Sequence, residues 1–226
     1  ESVKDFGEVL SRYLDGLVMR TFSHQQIIDF AACSRLPIIN GLTDLLHPCQ
    51  VLSDLFTIKE KKGGLSGIKL AYVGDGNNVA HSLLFGCAKL GLQLTIATPK
   101  KYEPNQEIFA QAEKIAAESA AVLILSNDPF SAVKDADIIY TDVWTSMGKE
   151  AEYKKRKNAF QAFQLNSKLV SAAKADYCIM HCLPAHRGEE ITDEVIDGPH
   201  SIVFDQAENR MHLQKALLLI LLKGKY

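Results

Sequence analysis

Short apolar runs alternate with segments of helical periodicity along nearly the whole chain, and this alternation narrows the fold more than any other feature. Leu17 to Met19, Ile38-Ile39, Leu70 to Val73, Leu94 to Ala97, Val122 to Leu125, Ile138 to Tyr140, Tyr177 to Met180 and Ile202-Val203-Phe204 read as buried strands. An opening helix from Val3 to Leu14 is expected, then helices at Gln25 to Ala32 with Ser23 as a cap, and from Pro48 to about Lys61. Further helices are expected at Asn77 to Leu90, Gln106 to Ala117 and Ala207 to Leu222. Strands that alternate with helices build right-handed β-α-β units around a mainly parallel sheet. Gly63-Gly64 and Gly67 interrupt the pattern, so the chain divides there into two lobes. The expected class is α/β, with two lobes that each hold a mainly parallel sheet flanked by helices.

A net charge of −2 over 226 residues gives no electrostatic case for nucleic acid or an anionic membrane. The longest apolar run, Ala216 to Leu222, falls far short of the roughly 20 residues of a membrane span. The N-terminus shows no signal-peptide pattern. The five cysteines, Cys33, Cys49, Cys87, Cys178 and Cys182, form no C-x-x-C pair and read as reduced thiols, so a cytoplasmic protein is expected.

In parallel α/β sheets, ligands bind beyond the carboxyl ends of the strands. Polar motifs follow the apolar runs here. Gly74-Asp75-Gly76-Asn77-Asn78 resembles half of a dinucleotide fingerprint, but Val79 replaces the third glycine and no acidic residue ends the Leu94–Ala97 strand. A tight turn, or one aiming an Asn at a substrate, are the other readings. His47 and Gln50 lie three apart at a helix start, where N–H groups favour anions, or where both could simply cap the helix. Asp142, four residues before Ser146, could hold a cationic amine or form an Asx turn. The run from Lys154 to Lys157 reads as a solvated helix face. His181 and Cys182 are adjacent on a strand, point to opposite sides, and make a poor nucleophile–base pair. Arg20 and Arg210 are each suited to an oxyanion or a surface ion pair. No zinc-finger spacing is present.

Taken in order, Arg20, His47-Pro48-Cys49-Gln50, Gly74 to Asn78, Asp142 with Ser146-Met147-Gly148, His181-Cys182-Leu183-Pro184 and Ala207 to Arg210 resemble the ornithine carbamoyltransferase family. The resemblance implies transfer of a carbamoyl group from carbamoyl phosphate to the δ-amine of L-ornithine, with no cofactor and no metal. It implies that Arg20, His47, Pro48, Cys49, Gln50, Cys182, Leu183 and Arg210 bind carbamoyl phosphate, with Cys182, His47 and Arg20 at the reacting centre. Asn78, Asp142, Ser146 and Met147 would hold ornithine. It further implies residues 1–62 as the remainder of a carbamoyl-phosphate domain, 63–206 as an ornithine domain, 207–226 as a helix returning to the first, and, for the complete protein, assembly as a homotrimer or higher homo-oligomer. The family's Ser-Thr-Arg-Thr phosphate loop does not occur in this sequence, so the first lobe is expected to be incomplete. The rival readings are a nicotinamide oxidoreductase, a non-catalytic amino-acid-binding relic, and a sister enzyme acting on another amine.

Overall fold

The computed structural model describes residues 2–146 and 148–223. The chain opens with α1 (Val3–Leu10), β1 (Leu17–Arg20), α2 (His24–Cys33), β2 (Ile38–Leu42) and α3 (Pro48–Lys62). It continues through β3 (Lys69–Val73), α4 (Asn78–Leu90), β4 (Gln93–Ala97), α5 (Gln106–Ser119), β5 (Val122–Ser126), α6 (Pro129–Val133) and β6 (Ile138–Thr141). Then follow α7 (Tyr153–Phe160), α8 (Ser167–Val170), β7 (Cys178–His181), α9 (Asp193–Ile196) and α10 (Val203–Lys223). Strands β1 and β2 pair in parallel, and a second sheet runs β5-β4-β3-β6-β7 with every pairing parallel.

Local chemistry sets the main boundaries. Pro48 starts α3, where its missing N–H costs nothing, and Gly63 ends it in the left-handed region at φ 75°. Asn77 caps α4 by accepting from the N–H groups of Val79 and Ala80. Asn105 caps α5 in the same way. Ser23 precedes α2 but makes no side-chain capping bond. The opening helix stops at Leu10, earlier than its apolar pattern suggests.

The central strands of the larger sheet are buried on both faces, which is why their sequences are continuous apolar runs. Leu70, Tyr72, Leu94, Ile96, Ile138, Tyr140 and Met180 pack on one side with α3, α4 and α5. Ala71, Val73, Ala97, Ile139 and Ile179 face the other side, against α6, α8 and α9. Helix α10 lies along α3, where Asn209 donates to Thr57 at 3.1 Å and Glu60 at 2.9 Å.

The expected strand at Ile202-Val203-Phe204 is not there. Ser201 makes a single bridge to Ile179, and the chain turns into α10 at Val203. Ile202 and Val203 are buried while Phe204 is 71% exposed, and the next buried positions are Gln206 and Asn209. Burial at 203, 206 and 209 is a helical stripe, which a three-residue apolar run cannot distinguish from a strand.

Gly76 shows how the sheet's top edge is covered. Its N–H donates to the Tyr102 carbonyl at 2.9 Å, and a Cβ at this position would overlap the backbone of Tyr102, Glu103 and Pro104. The glycine therefore serves close approach of a loop. Gly76→Ala should destabilise the fold by about 1–3 kcal/mol, as overpacking does. A thermal melt checks this, and an unchanged Tm would mean that the 102–104 loop does not sit on Gly76.

Candidate active site

The strand order places a topological switch between β3 and β6. From β3 the chain leaves to one side through α4 to β4, whereas β6 lies on the other side and leads on to β7. The crevice beyond these two strand ends is where such sheets bind ligands. It is occupied by a cavity of about 780 Å³, with walls from both sheets and from α10.

At the crevice, Asn77 follows β3 and Asp142 follows β6. Asn77 Nδ2 donates to Asp142 Oδ2 at 2.7 Å while Asn77 Oδ1 caps α4. Asp142 Oδ1 accepts from the Cys182 thiol at 3.0 Å and from the Val143 N–H at 2.8 Å. Asp142 is thus a buried carboxylate held by neutral donors, with no ion pair among the described residues. Burial, then the charge of Asp142 and the hydrogen bond to it, raise the Cys182 thiol well above its usual range. Cys182 is therefore a protonated donor and not a nucleophile. His181 makes a buried contact with Glu190 at 3.2 Å. The opposite orientations expected of these neighbours are not observed: a His181 ring nitrogen lies within 4.8 Å of the Cys182 sulfur and of an Asp142 carboxylate oxygen, because β7 ends at His181 and the Leu183 N–H turns back to donate to His181 Nδ1.

The facing wall is cationic. Arg20 ends β1, and Arg210 extends from α10. His47 precedes α3 but caps nothing with its side chain; its backbone N–H donates to Ser82 Oγ at 2.7 Å, tying it to α4. Arg210 Nη1 donates to Gln50 Oε1 at 2.6 Å and lies 3.4 Å from His47 Nε2. A guanidinium only donates, so His47 Nε2 is assigned as acceptor and the ring proton goes to Nδ1, which has no protein partner. Burial, then the charges of Arg210 and Arg20, push the His47 imidazole down to about 3, so it is neutral at neutral pH.

The run Lys154–Lys157 is not the uniformly solvated face that its charge suggests. Arg156 is buried and bonds Asp75 at 2.8 Å and the Trp144 carbonyl at 3.0 Å, with its guanidinium 5.0 Å from the Tyr102 ring centre. Asp75 leaves β3 beside the site, so a charged residue three strands away in sequence is drawn in to pair with it. Burial lifts the Asp75 carboxyl to about 6 even against the Arg156 charge. This ion pair clamps the loop carrying Asp142 to Ser146 onto the β3 turn.

Of the residues singled out from sequence, Arg20, His47, Asn78, Asp142, Ser146, Cys182, Leu183 and Arg210 line the one cavity. Pro48, Cys49 and Gln50 do not: the Cys49 thiol donates to the Asn40 carbonyl at 3.3 Å, and Gln50 is buried behind Arg210. Met147 lies outside the described residues. Asn78 Nδ2 donates to the Thr43 carbonyl at 2.7 Å, which leaves its oxygen free for a ligand. Asn77, Asp75 and Arg156 were missed; the Asn that precedes a helix directly after a glycine turn is the signal that could have found Asn77. Among the described residues, two groups bring together atoms able to bind a metal, Asp142–His181–Cys182 and His186–Glu189–Glu190. Both His181 ring nitrogens are already engaged, by Glu190 and the Leu183 N–H, and Glu189 is paired with Lys157. Neither group offers three free donors.

Comparison with known proteins identifies the family of the chain. Residues 66–221 match the family model described as the Asp/Orn binding domain of aspartate/ornithine carbamoyltransferase, and residues 1–60 match its carbamoyl-P binding domain. The chain is 55% identical over 224 residues to an ornithine carbamoyltransferase of Thermococcus kodakarensis, covering 99% of this chain and 71% of that protein. It is 56% identical over 226 residues to the ornithine carbamoyltransferase of Bacillus subtilis, covering 100% of this chain and 71% of the relative. The solved ornithine carbamoyltransferase of Pyrococcus furiosus superposes with a TM-score of 0.96 at 54% identity, over 100% of this chain and 72% of that one. With both family models and whole-chain relatives at this identity, the chain belongs to the aspartate/ornithine carbamoyltransferase family.

Proposed function

We propose that this chain transfers the carbamoyl group of carbamoyl phosphate to the δ-amine of L-ornithine, releasing L-citrulline and phosphate. The observation that carries the reading is the polarity of one cavity: Arg20 and Arg210 on one wall, and the unpaired carboxylate Asp142 on the other. A phosphorylated anion suits the first wall and an amine the second.

In this reading Arg20 and Arg210 hold the phosphate end, with Pro48, Cys49 and Gln50 behind them. His47 and Arg20 face the carbonyl oxygen. A neutral His47, its Nε2 accepting from Arg210, adds no third charge to the wall, and Arg20 donates to that oxygen. Such donors act chiefly as negative charge develops on oxygen in the tetrahedral intermediate. Asn78, Asp142, Ser146 and Met147 take the amino acid, with Asp142 and Cys182 near the δ-amine. An alkyl amine has a pKa of about 10 and is mostly protonated at neutral pH. The reactive form is the neutral amine, which attacks the carbamoyl carbon to give the tetrahedral intermediate; its collapse breaks the C–O bond to phosphate, and the departing phosphate takes up one amine proton. Approach of the walls around both substrates would expel water and align the reacting atoms.

Homotrimeric assembly and a cytoplasmic location belong to the same proposal. Five free thiols support a reducing compartment, and among the described residues no helix is long and apolar enough to cross a membrane.

Citrulline formation from carbamoyl phosphate and L-ornithine tests the activity directly, and its absence would leave a binding role. Asp142→Asn should raise the KM for ornithine at least tenfold while changing carbamoyl phosphate affinity little, since a charge-assisted bond contributes roughly 1.5–3 kcal/mol. Equal loss for both substrates would remove Asp142 from the ornithine subsite. Arg20→Ala should do the reverse, and unchanged carbamoyl phosphate affinity would discount it. Because burial holds His47 neutral down to about pH 3, its titration contributes no limb to kcat/KM between pH 5 and 9. A His47→Gln profile with a shifted acid limb would contradict that assignment.

A further inference from the structure

Asp54 is wholly buried on α3 and lies outside the cavity lining. Its Oδ1 accepts from Gln50 Nε2 at 2.8 Å and from Gln206 Nε2 at 2.7 Å, and its Oδ2 accepts from the Tyr140 hydroxyl at 3.1 Å. No Lys, Arg or His pairs with it among the described residues.

A carboxamide has one accepting and one donating end, so fixing the donor end also fixes where the acceptor points. Gln50 turns its Oε1 to Arg210, and Gln206 turns its Oε1 to the His181 N–H at 2.9 Å. A flipped Gln50 would set its NH₂ group against a guanidinium that can only donate. A flipped Gln206 would do the same to the backbone N–H that precedes Cys182 and Leu183.

We propose that Asp54 is a positioning residue that orients Gln50 and Gln206 together, and through them sets the Arg210 guanidinium and the end of β7 that carries Cys182. This rests on the reading that the Arg210 wall binds carbamoyl phosphate.

The groups facing Asp54 are Tyr140 from β6 and Arg210 from α10, while Cys87 of α4 and Cys182 after β7 feel its charge. Burial raises its carboxyl to about 7, against hydrogen bonds from Gln50, Gln206 and Tyr140 and the Arg210 charge. Protonation does not abolish the orienting role. The proton goes to Oδ2, which then donates to the Tyr140 oxygen and leaves the Tyr140 hydrogen without an acceptor among the described residues, while Oδ1 still accepts both amides. An asparagine reproduces this protonated pattern, with Oδ1 towards the amides and Nδ2 towards Tyr140. A leucine keeps the branched shape but has no acceptor.

The test compares Asp54→Leu and Asp54→Asn with the parent chain for carbamoyl phosphate affinity by calorimetry, ornithine KM and Tm, together with a crystal structure of the leucine variant. Asp54→Leu should weaken carbamoyl phosphate binding roughly 10- to 100-fold, the worth of one hydrogen bond to a charged group. Ornithine KM should move far less, and Asp54→Asn should restore most of the affinity. Unchanged affinity in the leucine variant, or equal damage in both variants, would overturn the proposal. If the leucine variant does not fold, Gln50→Met cuts the same relay and should show the same selective loss; unchanged affinity there counts against the idea equally. If the parent itself does not bind carbamoyl phosphate, the functional reading fails, and the crystal structure then decides. Arg210 displaced from Gln50 upholds the positioning role, and Arg210 still bonded to Gln50 Oε1 refutes it.

Discussion

The parallel pairing of β3 with β6 is the constraint on which the site depends. Leu70, Ala71 and Tyr72 align with Ile138, Ile139 and Tyr140, so both strands end at the same level and release Gly74–Asn78 and Asp142 side by side. Residues about 65 positions apart in the chain meet in one 2.7 Å hydrogen bond, from Asn77 to Asp142. Side-chain direction follows from period-2 alternation, and a shift of one residue would turn Tyr72 and Tyr140 to the wrong face. The register is fixed because both faces of these strands are buried.

The two walls of the cavity handle charge differently. On the Asp142 side, a carboxylate is kept out of water by neutral donors and has no ion-pair partner among the described residues. On the other side, Arg20 is exposed and Arg210 is half-buried, which limits their desolvation. The neutral His47 between them avoids stacking a third positive charge against two guanidinium groups. Asp75 and Arg156, by contrast, pair with each other and are structural, despite lying beside the same cavity.

Much of this was legible in the sequence. The β-α alternation was visible because doubly buried strands are continuous apolar runs, and Pro48, Gly63 and Gly91 marked helix ends through φ preferences that act locally. The side chains that converge on the cavity were legible mainly through a resemblance of ordered motifs. What stayed hidden was set by distant partners. Arg156 looks like its lysine neighbours until Asp75 is folded against it. The stretch from Ile202 to Phe204 is short enough to suit strand or helix, and only the burial of Gln206 and Asn209 decides. Asp54 sits in an unremarkable helical position whose meaning depends on Gln206, 152 residues away in the chain.

The contact between the two halves divides its labour in a way that bears on catalysis. Apolar adhesion comes from Val51, Leu55 and Ile58 of α3 against Leu83 and Leu84 of α4, with Gly86 allowing close approach. Register comes from polar bonds: His47 to Ser82, Asn78 to Thr43, and the Asp54 cluster. Apolar contacts are non-directional and tolerate small slides, whereas buried hydrogen bonds lose most of their worth when displaced. The His47 and Asn78 bonds lie at the cavity and the Asp54 cluster behind it, while Lys62 pairs with Asp176 at 3.0 Å at the other end of α3. A small rotation of one half about its apolar seam is therefore resisted by directional bonds at both ends of α3, and those at the cavity end act where a misplacement of about 1 Å is most damaging to rate.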